Sequence, residues 1–215
     1  MDFSKELEIY IANHTKPESE TLVKLNRETN IKILNPRMLS GHIQGQFLTL
    51  LCKMIRPQLG LEIGTFTGYS AICIAQGMSE GSLLHTIEID DELREMALNY
   101  FEKTGVKSKI VYHTGNAIEL IPRLNLEFDF IYIDGEKREY PEYYKATMNV
   151  LKPGGFMIAD NVLWNGKVVD PSYSKDPSTK AIQTFNETVQ NDNSVENVLL
   201  PLKDGIMIIR KKEIA

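Results

Sequence analysis

The chain has 215 residues, 42% hydrophobic and 25% charged, a profile that excludes collagen-like, disordered and disulfide-scaffold proteins and fits one globular domain. Twenty-four Lys and Arg against 29 Asp and Glu leave a formal charge of −5, so long-range electrostatics do not favour a polyanionic partner. Cys52 and Cys73 lie in apolar segments without a second metal-type ligand nearby, which reads as buried free thiols in a reducing cytosol.

Met1 to Asn13 alternates charged and apolar residues in the manner of an amphipathic helix and lacks the basic head and apolar core of an export signal. No apolar run approaches the roughly 20 residues a bilayer span needs, so a cytoplasmic protein without a membrane partner is expected. A second helix opens at Pro17, with Glu18 and Glu20 in its first turn, and a third runs from Gly41 to Ile55. Met1 to Arg56 is thus a helical region ahead of an α/β core from residue 57, the whole being one domain.

From Leu59 onward short apolar runs alternate with helical patterns. The strands are expected at Leu61–Gly64, Leu83–Ile89, Lys109–Tyr112, Phe128–Asp134 and Gly155–Asp160, each nearly continuous in apolar character, as strands covered on both faces are. The helices between them are Ser70–Met78, Asp91–Lys103, Ala117–Leu124 and Tyr140–Leu151. The Lys152-Pro153-Gly154-Gly155 turn stops the last of these. A polar loop from Val169 to Ser178 precedes a helix over Thr179–Gln190, then strands over Val195–Leu202 and Gly205–Arg210 joined by a two-residue hairpin link that makes at least one edge strand antiparallel. This alternation predicts a Rossmann-like α/β fold, a mostly parallel doubly wound sheet whose ligands sit beyond the carboxyl ends of its strands.

Four places at those strand ends carry chemistry. Leu61-Glu62-Ile63-Gly64-Thr65-Phe66-Thr67-Gly68-Tyr69-Ser70 runs from a strand through a glycine-punctuated turn into a helix, where Gly64 lets the backbone approach a ligand and Ser70 and the first-turn N–H groups offer donors. Phe66 stands where a dinucleotide loop wants a small residue. Glu88 ends the next strand, in position to accept from two ribose hydroxyls, and Asp90, Asp91 and Glu92 behind it read as a cap and first helical turn. Asp134 closes a third strand with Lys137 three positions on, and Asp160 and Asn161 close a fourth. Neighbouring strands bring Asp134, Asp160 and Asn161 together as oxygen donors of the kind Mg²⁺, Mn²⁺ or Ca²⁺ takes. The four histidines, His14, His42, His85 and His113, have no zinc spacing.

In combination these residues resemble the cation-dependent class I O-methyltransferases, which include the catechol and caffeoyl-CoA O-methyltransferases. The likeness spans nearly the whole chain: Met38-Leu39-Ser40-Gly41 and Gly45-Gln46-Phe47-Leu48, Glu62-Ile63-Gly64 with Gly68-Tyr69-Ser70, Asp134 with Lys137, and Asp160-Asn161 leading into Leu163-Trp164-Asn165-Gly166. The resemblance implies a seven-stranded sheet with a reversed last strand and S-adenosylmethionine as cofactor. Glu62, Gly64, Thr65 and Ser70 would line its methionine side, Glu88 its ribose and Ala117 its adenine, with Ser40, Asp134, Glu136 and Tyr143 at further contact positions. A divalent cation, Mg²⁺ foremost, would rest on Asp134, Asp160 and Asn161. Asn165 would face the acceptor, and Trp164 and Tyr173 would select a planar ring by stacking. Lys137 would act as general base or as stabiliser of the phenolate.

The reaction implied is methyl transfer to a hydroxyl of a catechol-like small molecule. An alternative within the family is methylation of hydroxyuridine in tRNA, with Lys16, Lys24, Arg27, Lys32 and Arg37 as the landing surface. A nicotinamide-dependent oxidoreductase is disfavoured by Phe66 and by the absence of a hydride-handling pair, and a non-catalytic cofactor-binding protein is the remaining alternative. A homodimer is expected, through the N-terminal helices or apolar positions of the 179–190 helix.

Overall fold

A computed structural model describes residues 4–213. In chain order the helices and strands are α1 (Lys5–Asn13), α2 (Glu20–Lys32), α3 (His42–Ile55), β1 (Leu59–Ile63), α4 (Tyr69–Gly77), β2 (Leu83–Glu88), α5 (Arg94–Lys103), β3 (Ile110–Thr114), α6 (Ala117–Leu124), β4 (Phe128–Ile133), α7 (Tyr140–Met148), β5 (Leu151–Asp160), α8 (Pro177–Asn191), β6 (Val195–Leu200) and β7 (Ile206–Lys211). The seven strands are ordered β3-β2-β1-β4-β5-β7-β6. Pairing is parallel for β2 with β3, β1 with β4 and β4 with β5, and antiparallel where β7 meets β5 and β6. No helix of the described residues is long and apolar enough to cross a membrane.

The chain gathers into two compact units. The first holds residues 59–64 and 115–213, and β4 is its spine: Phe128, Phe130, Ile131, Tyr132 and Ile133 are wholly buried, as a parallel strand covered on both faces must be. Helix α8 buries Thr179, Ile182, Phe185 and Val189, one stripe at helical spacing, and Phe185 meets the edges of the Tyr140 and Tyr144 rings at 5.4 and 5.8 Å. The second unit holds residues 4–58 and 65–114. Its helices α1 and α2 start where Ser4 and Ser19 accept from the N–H groups of Leu7 and Leu22, each satisfying one donor that a helix start leaves open.

Several boundaries differ from the sequence reading. Helix α2 begins at Glu20 because Ser19, not Pro17, caps it; Glu18 lies outside and accepts from the Tyr69 hydroxyl at 2.6 Å. The helix expected to reach Leu151 ends at Met148, and residues 151–155 join β5, with a register shift against β4 between Phe128 and Phe130 and Gly154 at φ +79°. The span expected as one helix from Asp91 opens with a 3-10 turn, Asp91–Leu93, before α5. The β6–β7 link covers residues 201–205 rather than two, with Lys203 at φ 50° and Gly205 at φ 86°. The reversed strand β7 is interior, and β6 takes the edge. Ile182, Phe185 and Val189 of α8 are buried, and the exposed apolar side chains include Val23, Ile31, Leu34, Met38, Leu50 and Met54. Both cysteines are buried and free, as expected.

Candidate active site

In the first unit, the register that sets Ile133 beside Ala159 brings the ends of β4 and β5 level, so Asp134 and Asp160 leave adjacent strands together. Gly64 makes room for this. Its φ is +94°, and a Cβ there would lie 2.3 Å from the Asp134 carbonyl oxygen, while Asp134 N–H donates to Ile63 O at 2.9 Å. The close approach that the sequence assigned to a ligand is therefore made, in the first place, to the backbone of Asp134.

Around the two acids the side chains form a connected network. Lys137 Nζ donates to Asp134 Oδ1 at 2.9 Å and to the Tyr140 hydroxyl at 2.8 Å. Tyr140 in turn donates to the Asp160 backbone carbonyl at 2.8 Å. The Asp160 carboxylate accepts from the Tyr132 hydroxyl at 3.1 Å and from Asn161 N–H at 2.7 Å. Asn161 Nδ2 donates to Asp204 Oδ2 at 3.4 Å, and Asn165 N–H donates to the same carboxylate.

This crowding sets the protonation states. Burial pushes the Asp134 carboxyl up to about 6, with the Lys137 ammonium opposing and the Asp160 charge adding to the rise. Burial alone would lower Lys137, but Asp134, Tyr140 and Asp160 outweigh it and hold the ammonium above its ordinary value. Lys137 is thus a cation fixed on Asp134, not a solvated surface lysine: its side chain keeps 11% of its exposure. Burial raises Tyr132 and Tyr140, so both are neutral donors at ordinary pH.

Asp134, Asp160 and the Asn161 carbonyl oxygen form an all-oxygen donor set. Among the described residues no three His, Cys, Asp or Glu side chains gather as a metal cluster, so a cation here would use two carboxylates and one amide. The set fits a hard divalent ion, because two buried like charges gain from one and because Asp204 already engages the amide nitrogen of Asn161, leaving its oxygen as the donor.

Trp164 and Asn165 follow in a segment with four left-handed residues, Asn161, Trp164, Asn165 and Gly166. Asparagine and glycine tolerate that conformation and tryptophan does not, so local strain is concentrated beside the acids. Lys167 Nζ lies 5.2 Å from the Trp164 ring and 5.0 Å from that of Tyr173; the two aromatics expected to stack on a ligand already share a cation. Glu62 is fully buried in β1 and Ala117 opens α6 behind its Asn116 cap. Exposed Glu136 accepts from Arg138 N–H, and Tyr143 donates to Glu139 at 2.6 Å.

In the second unit lie Ser40, Thr65, Ser70 and Glu88, all buried. Glu88 Oε2 accepts from Phe66 N–H at 2.6 Å, and Oε1 accepts from Ile89 and Asp90 N–H at 2.9 and 3.0 Å. The carboxylate is thereby fixed at the end of β2, and it also holds the glycine turn whose Phe66 sits at φ 50°. Thr65 shares a hydroxyl hydrogen bond with Thr86. Ser70 stands at the second position of α4, a helix whose Gly68 cap offers no side-chain acceptor to the first N–H groups.

Comparison with known proteins decides the family: residues 12–212 match the O-methyltransferase family. The chain belongs to that family. Among its relatives, the caffeoyl-CoA O-methyltransferase of Eucalyptus gunnii is 33% identical over 184 residues, covering 80% of this chain and 73% of the relative. Caffeoyl-CoA O-methyltransferase 1 of Zea mays is 33% identical over 207 residues, covering 90% and 79%. Among solved structures, the O-methyltransferase from Bacillus cereus in complex with SAH matches with a TM-score of 0.90 at 28% identity over 96% of this chain and 97% of that one. TomG from Streptomyces achromogenes, involved in tomaymycin synthesis and in complex with SAM, matches with a TM-score of 0.89 at 26% identity over 99% and 100%. The seven strands and the reversed β7 of this O-methyltransferase are those the resemblance implied.

Sequence reasoning missed four side chains of the acid network. Tyr132 was legible, since it stands two residues before Asp134 and so on the same face of β4. Tyr140 stands three residues after Lys137, a one-turn spacing. Lys203 and Asp204 carried no such signal, being read only as a hairpin link.

Proposed function

We propose that this chain is an S-adenosylmethionine-dependent, divalent-cation-dependent O-methyltransferase that methylates a hydroxyl of a vicinal dihydroxy aromatic small molecule. The observation that carries this reading is the pairing of Asp134 and Asp160 at adjacent strand ends with Asn161 beside them, in a member of the O-methyltransferase family. The relatives crystallised with SAH and SAM support the cofactor, and the caffeoyl-CoA O-methyltransferases support the acceptor class.

A sulfonium methyl needs no further activation, so the task of the residues is to align an acceptor oxygen and favour its anion. Asp134, Asp160 and Asn161 would hold a divalent cation, whose charge would lower the pKa of the acceptor hydroxyl and help to orient it. Lys137 enters as an ammonium held on Asp134 and steadied by Tyr140, so its role is to stabilise the phenolate rather than to remove its proton. Glu88, oriented by three backbone donors, retains acceptor capacity for the ribose hydroxyls. Thr65, Ser70, Glu62, Gly64 and Ser40 serve the methionine side, Ala117 the adenine, Glu136 and Tyr143 the remaining contacts, and Trp164 and Asn165 the acceptor. The exposed apolar side chains of the N-terminal segment form a homodimer interface, which sedimentation tests.

The test is methyl transfer from labelled S-adenosylmethionine to a catechol panel that includes a caffeoyl ester, with Mg²⁺ and with EDTA. Metal-dependent turnover is the expected result. Turnover unaffected by EDTA overturns the cation assignment, and turnover of tRNA with salt-sensitive binding in place of catechols transfers the acceptor to nucleic acid, with exposed Lys16, Lys24, Arg27, Lys32 and Arg37 as its contacts.

A further inference from the structure

Helix α2 buries three residues at helical spacing, Leu22, Leu25 and Thr29. Two of them are apolar, while Thr29 carries a hydroxyl into the interior, where its residue is wholly buried. A buried hydroxyl is costly unless it is hydrogen-bonded. The bond it makes spans a long stretch of chain: Thr29 Oγ1 donates to Thr67 Oγ1 at 3.0 Å, and Thr67 is wholly buried as well. Two further hydrogen bonds seat the helix. The Tyr69 hydroxyl donates to Glu18, just ahead of the Ser19 cap, and the Tyr100 hydroxyl donates to Glu28, each at 2.6 Å.

Thr67 belongs to the glycine turn over residues 65–68, whose members are held by different elements of this unit. Thr65 shares its hydroxyl bond with Thr86 of β2, and Phe66 N–H donates to Glu88 at the end of the same strand. Gly68 packs so closely on Phe101 of α5 that a Cβ there would lie 2.7 Å from the ring. Thr67 is tied to α2. The turn needs such ties, because Phe66 stands at φ 50°, a left-handed conformation that persists in a non-glycine residue only where its surroundings impose it. Released at Thr67, the turn gains relaxed courses, and a ligand that requires the strained one binds in proportion to the population that keeps it.

We propose that Thr29 is a positioning residue for S-adenosylmethionine: its hydrogen bond to Thr67 makes α2 a buttress of the glycine turn and so sets the affinity of the cofactor site. The inference rests on the reading of Thr65, Ser70 and Glu88 as cofactor contacts. Being wholly buried, Thr29 acts through Thr67 and not on the cofactor itself. The N-terminal helical region thereby contributes to cofactor binding through a side chain that reaches no ligand.

The experiment is calorimetric titration of the full chain with S-adenosylhomocysteine, on the wild type, Thr29→Val, Thr29→Ser and Tyr100→Phe, with a thermal melt of each. Thr29→Val keeps the shape and loses the hydroxyl, and it is expected to bind about fivefold to tenfold more weakly, the order of one buried hydrogen bond. The KM for S-adenosylmethionine rises by the same factor while kcat stays within about twofold of wild type. Thr29→Ser restores the hydroxyl and stays within about threefold of wild type in affinity. Tyr100→Phe removes the bond to Glu28 and leaves the one to Thr67, so its melt falls and its affinity holds. Thr67→Val breaks the same bond from the acceptor side and gives the reading if Thr29→Val does not fold. Wild-type affinity in Thr29→Val with a lowered melt overturns the proposal, leaving the cofactor site standing and the hydroxyl a fastening of α2 alone. Equal loss of affinity in Thr29→Val and Tyr100→Phe overturns it too, since any loosening of α2 then has the same effect. Absence of S-adenosylhomocysteine binding in the wild type overturns the cofactor reading and this inference with it.

Discussion

Gly64→Ala isolates the contact that seats the acid pair. At φ +94° an L side chain carries a conformational cost of about 1 kcal/mol. The added Cβ would also meet the Asp134 carbonyl oxygen at 2.3 Å and its carbon at 2.8 Å. Those are backbone atoms, and they can yield only by shifting the end of β4, at a further cost of about 2 kcal/mol. The total of about 3 kcal/mol corresponds to a fall in melting temperature of about 6–12 °C for a chain of this size. Gly105→Ala is the control, because its φ is +73° and nothing lies within 4 Å of the new Cβ; it pays the conformational cost alone and falls by about 2–4 °C. Calorimetric melts of the two variants beside wild type measure the difference directly. Methyl transfer gives the second readout: Gly64→Ala displaces Asp134 and loses turnover, and Gly105→Ala keeps it. A Gly64→Ala protein no less stable than Gly105→Ala would refute the claim that the glycine serves the Asp134 backbone.

Lys137→Met removes the ammonium from Asp134 and Tyr140 and is expected to lower kcat by about 10²–10³-fold, with S-adenosylhomocysteine binding retained in an equilibrium assay; loss of cofactor binding alone would place Lys137 elsewhere. Glu88→Ala strips an acceptor from the N–H groups of Phe66, Ile89 and Asp90, for a cost of about 2 kcal/mol and a melting temperature lower by about 4–8 °C, together with loss of S-adenosylhomocysteine binding. An unchanged melt would show that the carboxylate does not hold the turn. His85 and His113 share a hydrogen bond of 3.0 Å on paired strands, and burial lowers the pKa of both below 6.5. Below that pH the unfolded chain takes up protons that the folded one refuses, so stability is full above it and falls progressively with pH beneath it. Melting curves from pH 8 to pH 5 check the slope, which His113→Gln should flatten.

How far the sequence carried the site depends on what each residue's position required. Asp134, Asp160 and Glu88 were legible because a strand that is largely buried along its length leaves an acid at its end one place to go, the mouth of the sheet, and the parallel neighbours β4 and β5 align their ends. The order of the helices was legible for the same reason, periodicity being a property of single segments. Boundaries were less so: Pro17 and Ser19 both signal a helix start, and only the hydrogen bond from Leu22 N–H decides between them.

Lys203 and Asp204 were illegible on different grounds. In the sequence they lie more than 40 residues from Asn161, and turn chemistry accounts for them fully, since Lys-Asp-Gly makes an acceptable link between strands. Their place in the site follows only from β7 being reversed and set against β5, which returns the link to the carboxyl end of the sheet beside Asp160. A reversed strand inserted next to the last parallel one delivers its preceding loop to the end where parallel sheets bind ligands. The residues of that loop are therefore carried to that end by topology, without any local pattern to mark them.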